Sequence, residues 1–389
     1  MRYTPLVALV FLLMTKHTTA QDNRRVITTG VPFLLIAADA RSSGMGDQGV
    51  ATPVDAFSQQ WNAAKYAFSE TKSGIGLSYT PYLRELVNDI NLANLSYFNR
   101  INQRSAVAAS IRYFGLGEVE FRDTAEQQPR IASPNEFAID LSYSLRLSEE
   151  FSMAVTGRFI NSNLRFPTGI ADASGASSFG ADISMFYRSE EKFYKDFNGR
   201  WRGGLAISNI GPKLKYDGSV EDNFLPTNFK AGVGFDFILD RSNTIGVHLE
   251  VNKLLVPTPP RIERNEQGQV TTESQRALED YRNASALGSI FSSFTDAPDG
   301  FSEELKEITW ALGAEYWFED SFALRLGYFN ESEEKGFRQF MTMGLGFKYS
   351  TVNIDASYLF STTTVQNPLE GTLRFGLTFN IGDNTYVEY

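Results

Sequence analysis

His248 lies two residues before Glu250 in the run "IGVHLEVN" and is the only histidine outside the amino-terminal leader. Residues two apart on a strand point to the same face, so the histidine could act as a base that the glutamate orients. Catalysis would also need a nucleophile within reach, and no serine stands in a recognisable nucleophile motif. The alternative is a polar network of lumen charges, and we therefore predict no catalytic residue and no enzyme.

A second pattern with possible chemistry is the glycine-rich stretch "ARSSGMGDQGVATPVDAFSQQWNAAKYAF", which runs from Ala40 to Phe68. Gly44, Gly46 and Gly49 could cradle a phosphate. A phosphate loop, however, needs a strand before it, a helix after it and usually a Lys-Ser/Thr pair, and the stretch lacks these signals. Its glycines are therefore predicted to permit tight turns and close backbone packing.

The pentapeptide "DAPDG" (Asp296–Gly300) fits either a turn or a weak Ca²⁺ site. A turn is the simpler interpretation, because Asp, Pro and Gly all favour turns. The chain has no cysteine, and a single histidine in the mature protein is too few for a zinc site. We expect no metal and no cofactor.

Net charge limits the class of partner. The 389 residues carry 36 Lys and Arg against 46 Asp and Glu, a formal net charge of −10. Nucleic-acid binding depends on clusters of Lys and Arg that neutralise phosphates, and this chain has no such cluster. The composition therefore excludes nucleic acid as a partner.

Residues 1–20 are typical of a secretory signal peptide. Arg2 supplies the positive start, Pro5–Met14 ("PLVALVFLLM") is the apolar core, and Thr18-Thr19-Ala20 offers small residues for cleavage. Ten apolar residues are too few for a membrane-spanning helix. No run in the rest of the chain reaches about 18 consecutive apolar residues, so no transmembrane helix is expected.

Strict alternation of apolar and polar residues returns again and again after Ser73. In "TLRFGLTFN" (Thr372–Asn380), leucines and phenylalanines alternate with threonine, arginine and glycine, which indicates a strand with one apolar and one polar face. About fourteen such segments of about 9–12 residues follow one another, the length of a tilted strand that crosses a membrane. Their approximate centres are Leu77, Leu95, Ala109, Leu141, Val155, Ile183, Leu205, Val233, Val247, Leu312, Leu324, Leu345, Ile354 and Phe375.

Connection lengths distinguish a membrane barrel from a soluble β-sandwich. Short turns alternate with long loops along most of the chain, and aromatic residues gather at strand ends. Both features are typical of an outer-membrane barrel, whereas a sandwich explains neither. We therefore predict an all-β chain whose residues 71–389 form an antiparallel transmembrane β-barrel of about fourteen strands. Its polar face would turn Glu315, Arg325, Lys348, Asp355, Arg374, His248 and Glu250 inward.

The longest connection, residues 257–307, has features of a structured loop. After a proline-rich start, "TTESQRALEDYRNASALGSIFSSF" is predicted to form a helix, with Thr272 and Gln275 at capping-box spacing. This helix could pack on the barrel mouth or bind a partner, and long structured loops are often functional. Candidate partner-binding residues form a loose apolar stripe: Leu278, Tyr281, Leu287 and Phe291.

Residues 21–70 precede the first predicted strand. A fourteen-stranded barrel has a lumen too wide for side chains alone to fill. The apolar run Val31–Ala40 and the glycine stretch therefore indicate a plug that folds into the barrel. The run Val31–Ile36 could instead line a pocket for a hydrophobic ligand.

The plug segment resembles the amino-terminal signature of the PorV family, outer-membrane components of the type IX secretion system of Bacteroidetes. The resemblance is carried by Ala40-Arg41, "GMGDQGVA", Asp55, Ser58 and "WNAA", within which the motif residues are Gly44, Gly46, Gly49, Asp55, Trp61 and Asn62. That family is related to the FadL-type transporters, fourteen-stranded barrels with an amino-terminal plug. Many FadL relatives have Asn-Pro-Ala where this chain has Asn62-Ala63-Ala64, so this chain departs from the wider pattern.

The resemblance implies a role in protein secretion. Members of the family are described as binding the carboxy-terminal signal domain of cargo at a large translocon barrel (SprA/Sov-like) and delivering it to a PorU-like sortase. It also implies an outer-membrane location in a Gram-negative, Bacteroidetes-type bacterium, contact with outer-membrane lipid and extracellular loops. The competing hypotheses are a FadL-like importer of hydrophobic small molecules and a lipid-modifying enzyme that uses His248.

Overall fold

The computed structural model describes residues 25–84, 87, 89–122, 127–164, 175–216, 222–363 and 369–382. The predicted signal peptide lies outside the described residues. Among the described helices, none is long and apolar enough to cross a membrane.

Fourteen antiparallel strands form a closed barrel in the described part of the chain. Each strand pairs with its neighbours in sequence, and the first strand also pairs with the last, with Ser73 opposite Ile381. Every predicted strand centre falls within a strand, so the predicted antiparallel barrel of fourteen strands is confirmed. The strands, β1 to β14, are Ser73–Pro81, Ile90–Arg100, Ser105–Leu116, Asn135–Arg146, Phe151–Asn163, Ala176–Arg188, Phe197–Ile210, Asn228–Ile238, Asn243–Leu254, Thr309–Phe318, Phe322–Asn330, Gln339–Tyr349, Val352–Ser361 and Leu373–Ile381.

Alternation along each strand produces an apolar outer face and a polar inner face. In β14, Phe375 and Phe379 are exposed, whereas Arg374 and Thr378, each one residue before them, are buried. Of the seven predicted inward residues, six are buried; Lys348 is only partly buried and reaches Asp320 at the barrel rim. An apolar outside and a polar inside invert the pattern of a soluble domain, as a barrel surrounded by lipid requires.

The two ends of the barrel differ in their connections. One end, the turn end, has tight turns such as 101–104 and 350–351. It also carries a hairpin in which the short strand Lys192–Tyr194 pairs with the start of β7. The other end, the loop end, has the long connections, one of which contains the paired short strands Val119–Phe121 and Arg130–Ala132.

Residues 25–69, the N-terminal segment, pack against the inner wall of the barrel. The segment contains two 3-10 helices, Pro32–Leu35 and Ala63–Phe68, and two short α-helices, α1 (Ala40–Ser43) and α2 (Ser58–Trp61). It starts at the loop end, where the Gly30 N–H donates to the Phe224 carbonyl at 2.9 Å. It leaves at the turn end, where it joins β1. This position suits a plug, and the role of a plug stays a prediction.

Apolar contacts fix the N-terminal segment at both ends. At the loop end, Val31, Phe33 and Leu34 pack against wall side chains that include Leu92 and Phe114. At the turn end, a second cluster joins the segment to other strands, and its members include Tyr66, Phe68, Phe98 and Phe186. The Tyr66 and Phe98 rings stack with centroids 4.8 Å apart. The segment therefore buries its apolar side chains against the wall.

Glycines on both partners bring the middle of the segment into backbone contact with the wall. Gly46 has φ +85°, and a β-carbon there would lie 2.9 Å from the Tyr328 carbonyl oxygen. On the wall, a β-carbon at Gly327 would lie 2.1 Å from the Gly46 nitrogen, and one at Gly204 would lie 2.0 Å from the Val50 oxygen. The predicted close packing of the glycine stretch is thus observed, and both partners need glycine for it.

The long connection at the loop end, residues 257–307, folds into three helices, which we call the cap. They are α3 (Thr272–Asn283), α4 (Ala286–Ser292) and α5 (Phe301–Lys306). The prediction of one helix over α3 and α4 was wrong, because Ser285 accepts a hydrogen bond from the Gly288 N–H and starts a new helix. The capping box was also misplaced: Thr271 is the N-cap and accepts from the Ser274 N–H.

We expect Gly327→Ala to destabilise the barrel by about 3 kcal/mol, because its methyl group would overlap the Gly46 backbone. Urea unfolding in detergent, followed by gel mobility of folded and unfolded barrel, measures the change. Gly157→Ala is the matched control, because a β-carbon there meets nothing within 4 Å. Equal urea midpoints for the two variants would contradict the conclusion that the N-terminal segment needs glycine at this contact with the wall.

Candidate functional site: the seated N-terminal segment and the cap

The backbone of the glycine stretch binds a carboxylate group of the protein itself, that of Glu250. The N–H groups of Gly49 and Val50 both donate to one carboxylate oxygen of Glu250, each at 2.8 Å. Glu250 is buried on β9. Successive backbone N–H groups form a concave anion site, here filled by a wall side chain. The backbone donors that a phosphate would need are therefore already used.

His248 does not form the base and orienter pair that its spacing with Glu250 allowed. The two residues do share the inner face, and His248 is buried. Neither ring nitrogen of His248 has a hydrogen-bond partner among the described residues. Because Glu250 is engaged by Gly49 and Val50, it does not orient the imidazole. This geometry offers no support for general-base catalysis.

Arg41, next to the glycines, connects the segment to the wall through buried charges. Its guanidinium donates to both Glu315 oxygens at 2.9 and 2.8 Å and contacts the Asp55 carboxylate at 3.1 Å. Glu315 also accepts from Arg325 at 2.6 Å, and Arg325 reaches Asp355 at 2.7 Å. Five alternating charges thus run from the segment across β10, β11 and β13. The sequence indicated the wall charges as inward but not Arg41 as their partner.

Trp61 and Asn62 hold the two halves of the segment together. The Trp61 indole donates to Asp39 at 2.7 Å, and its ring occupies the place where a β-carbon of Gly49 would lie, at 2.3 Å. The Asn62 amide donates to the carbonyls of Val50 at 2.9 Å and Met185 at 2.8 Å. The structure therefore brings Gly49, Trp61 and Asn62 together.

The remaining motif residues lie on neighbouring parts of the same segment. Gly44 faces Gly344 on β12, where an added β-carbon would be 3.0 Å from the glycine backbone, and Gly46 faces Tyr328. Asp55 accepts from its own loop, from the Phe57 N–H at 2.9 Å, and also pairs with Arg41. All six motif residues thus fix the shape of the segment or its fit to the wall.

A cluster of buried charges, the ion cluster, anchors the cap to the barrel. Glu303 and Glu307 both accept from Lys335, at 2.6 and 2.9 Å, and Lys253 donates to Glu307 at 2.6 Å. Arg25 at the start of the N-terminal segment donates to both Glu303 oxygens, at 2.9 and 2.6 Å. The ion cluster therefore joins α5, the barrel and the N-terminal segment. Its members are Arg25, Lys253, Lys335, Glu303, Glu304 and Glu307.

Two helices of the cap expose large apolar side chains: α4, and α5, which carries the glutamates Glu303 and Glu304 of the ion cluster. On α4, Leu287 and Phe291 are four residues apart and 61% and 81% exposed. On α5, Phe301 and Leu305 repeat this spacing and are 75% and 52% exposed. Side chains four residues apart share one face of a helix, and exposed apolar side chains grouped in this way are typical of a partner-binding surface. We call these four residues, with Phe294 between the helices, the apolar cap surface.

The predicted partner-binding stripe is divided between two environments. Leu287 and Phe291 belong to the apolar cap surface. Leu278 and Tyr281 lie on α3 and are partly buried, and the Tyr281 ring packs 6.1 Å from that of Phe224. The break between α3 and α4 separates the two pairs, so the four residues do not form the single stripe that was predicted.

Asp296–Gly300 forms contacts with the cap and with the N-terminal segment. Asp296 accepts from the Thr258 hydroxyl at 3.1 Å, and Asp299 pairs with Arg25 at 2.5 Å. Gly300 has φ +72° and precedes α5. Among the described residues, no group of three or more His, Asp or Glu is arranged to hold a metal ion. These contacts agree with the turn interpretation.

Comparisons with known proteins agree with this architecture. A family model described as "Type IX secretion system protein PorV" matches residues 19–261. The fold is similar to that of the P. putida toluene transporter TodX, at 9% identity and a TM-score of 0.50, over 90% of this chain and 99% of that chain. A Pseudomonas aeruginosa FadL homologue is 10% identical, with a TM-score of 0.46, over 91% and 99% of the two chains. No curated protein matches the sequence.

We expect Glu250→Ala to speed amide hydrogen exchange at Gly49 and Val50 and to destabilise the barrel by about 3 kcal/mol. The variant leaves two buried N–H groups without their charged acceptor. His248→Ala removes a buried neighbour from the same face without removing a hydrogen bond to the segment, and serves as control. Unchanged exchange at Gly49 in Glu250→Ala would contradict the assignment.

The ion cluster should weaken in acid. Burial alone would raise the pKa of Glu303, but hydrogen bonds from Arg25 and Lys335 lower it to about 2, against an ordinary value of 4.5. Because the folded pKa is the lower one, the stabilisation by Glu303 is present above pH 4.5 and is lost as the pH falls towards 2. We expect lower exchange protection of α5 at pH 3 than at pH 6.

Glu303→Gln, which cannot titrate, tests whether this response comes from the ion cluster. Its α5 protection should be reduced already at pH 6 and should change less between pH 6 and pH 3. An acid response equal to that of the wild type would assign the effect to other carboxylates.

Proposed function

Because the chain belongs to the PorV family of the type IX secretion system, we propose that this outer-membrane β-barrel carries secreted proteins to the cell surface. In this proposal it binds the carboxy-terminal signal domain of cargo at the large translocon barrel and delivers the cargo to a PorU-like sortase. The loop end would be extracellular and the turn end periplasmic.

The apolar cap surface is the observation that carries the proposal. Phe291 and Phe301 are the most exposed large apolar side chains of the cap, and both lie on helices of an element fixed by the ion cluster. A rigid surface loses little conformational entropy on binding, which favours affinity. Aromatic side chains are also the usual anchors of protein interfaces. A folded cargo domain is the partner that such a surface suits best.

The seated N-terminal segment favours a carrier over a conducting pore. Its backbone contacts the glycines of the wall, and the hydrogen bonds of Arg41 and Glu250 connect it to β10 and β9 by buried polar contacts. Opening a protein-sized passage would break all of these contacts together. Cargo would therefore remain outside the barrel and contact its loops.

A FadL-like importer of hydrophobic small molecules is the alternative function. It would need an apolar pocket and a segment that moves. Val31, Phe33 and Leu34, the residues that could line such a pocket, are packed against wall side chains. We therefore rank this function second.

We expect Phe291→Ser to weaken cargo binding by about tenfold to a hundredfold, because a buried aromatic anchor contributes about 2 kcal/mol or more. Tagged wild-type and variant protein would be purified from detergent-solubilised outer membranes, and co-purifying proteins quantified by mass spectrometry. Phe193→Ser is the matched control, since Phe193 is similarly exposed (76%) but lies at the turn end. Full cargo recovery with Phe291→Ser, or equal losses in both variants, would contradict the proposal.

A further inference from the structure

A cavity of about 640 Å³ opens at the turn end, opposite the cap. The N-terminal segment forms part of its lining through Arg41, Asp55 and Phe68, and the surrounding strands supply the remainder. It lies beyond the surfaces that the proposed function uses. Its cationic lining residues are Arg41, Arg188, Arg200, Arg202 and Lys348.

Most of these cations are neutralised by carboxylates that also line the cavity. Arg41 pairs with Glu315 and Asp55, as described above. Arg202 forms two hydrogen bonds to Asp236, and Lys348 contacts Asp320. The N–H groups of Arg41, Arg202 and Lys348 thus donate to carboxylates of the protein. They are poor candidates for binding an external ligand.

Arg188, at the end of β6, is different. Within the described part of the chain, its side chain makes no hydrogen bond and no ion pair; its guanidinium lies 4.9 Å from the centre of the Phe68 ring. The Arg146 guanidinium lies 5.1 Å from the same ring. Phe68 is buried, and its contact with the Arg188 guanidinium uses none of the five N–H donors of that group.

Neighbouring charges make the surroundings of Arg188 locally positive. Among the described residues, the charges that act on it most strongly are those of Arg200, the exposed Glu70 of the cavity lining, Arg146 and Arg100, so three of the four are positive. Arg200 also lines the cavity; one of its terminal nitrogens contacts Glu191 at 3.3 Å, and its Nε atom is buried without a hydrogen-bond partner among the described residues. The Arg146 and Arg188 guanidinium groups lie near the same ring and repel each other, and a bound anion would relieve this repulsion.

We propose that the turn-end cavity binds a phosphate group through Arg188 and Arg200. A planar guanidinium that is fixed on an aromatic ring presents paired donors that match the oxygens of a phosphate. A phosphate carries more charge than a carboxylate and accepts more hydrogen bonds, so a cluster of arginines favours it. The group could belong to a free phosphate or to a phospholipid headgroup at the membrane surface.

The direct test is titration of the full-length barrel with inorganic phosphate, in nanodiscs of neutral phosphatidylcholine, by calorimetry. We expect saturable binding that weakens about tenfold or more in Arg188→Gln, because a charged hydrogen-bonding partner is lost. Arg241→Gln is the matched control: it removes the same charge from an exposed turn at the same end, outside the cavity lining. Arg188→Lys keeps the charge but not the paired donors, and should bind phosphate with intermediate affinity.

Repeating the titration in nanodiscs of phosphatidylglycerol, an anionic lipid, distinguishes a phospholipid headgroup from a free phosphate as the ligand. If a lipid headgroup fills the cavity, this lipid should lower the affinity of the wild type for free phosphate more than that of Arg188→Gln. If the ligand is a free phosphate, the two lipids should give similar affinities. Absence of saturable binding by the wild type in neutral lipid, or equal loss in Arg188→Gln and Arg241→Gln, would overturn the proposal.

Discussion

The rest of the structure depends on one constraint: the backbone of the N-terminal segment touches the backbone of the barrel wall, and only glycines allow this approach. The N-terminal segment lies so close to the wall that side chains are excluded at Gly46 on one side and at Gly204 and Gly327 on the other. Only this approach lets the Gly49 and Val50 N–H groups reach Glu250. The glycines therefore do more than allow tight turns: they remove side chains where the segment and the wall come into contact.

Buried charges then fix the position that the glycines allow. Arg41 meets Glu315 only when the segment is fully seated, and the same principle recurs at the loop end, where Glu303 meets Arg25 and Lys335. A buried ion pair contributes little net stability compared with apolar packing, but an unpaired buried charge is costly. We infer that these pairs select one arrangement of segment, barrel and cap. The apolar cap surface is presented on an element whose position is specified in this way.

The sequence allowed the barrel to be predicted because its signal is local. Period-two alternation and alternating loop lengths depend only on neighbouring residues, so the strands and the inward positions of residues such as Arg325 and Asp355 could be predicted. The partner of Arg41 could not be predicted, because Glu315 is more than two hundred residues away and the pairing depends on the seating of the segment. The break between α3 and α4 did leave a local signal: Ser285 is a good N-cap residue within the apolar periodicity. No local pattern marked Arg188, because its distinguishing features are its contact with the Phe68 ring and the lack of an ion-pair partner for its side chain among the described residues, and both depend on the folded structure.

Site-specific photo-crosslinking in living cells tests the central claim most directly. A photoreactive phenylalanine analogue at Phe291 samples what touches the apolar cap surface, and the same analogue at Phe193 samples the opposite end. The account predicts that cross-links from position 291 contain the carboxy-terminal domains of secreted proteins and that those from position 193 do not. Cross-links from position 291 to lipid alone, or cargo captured equally from both positions, would contradict it.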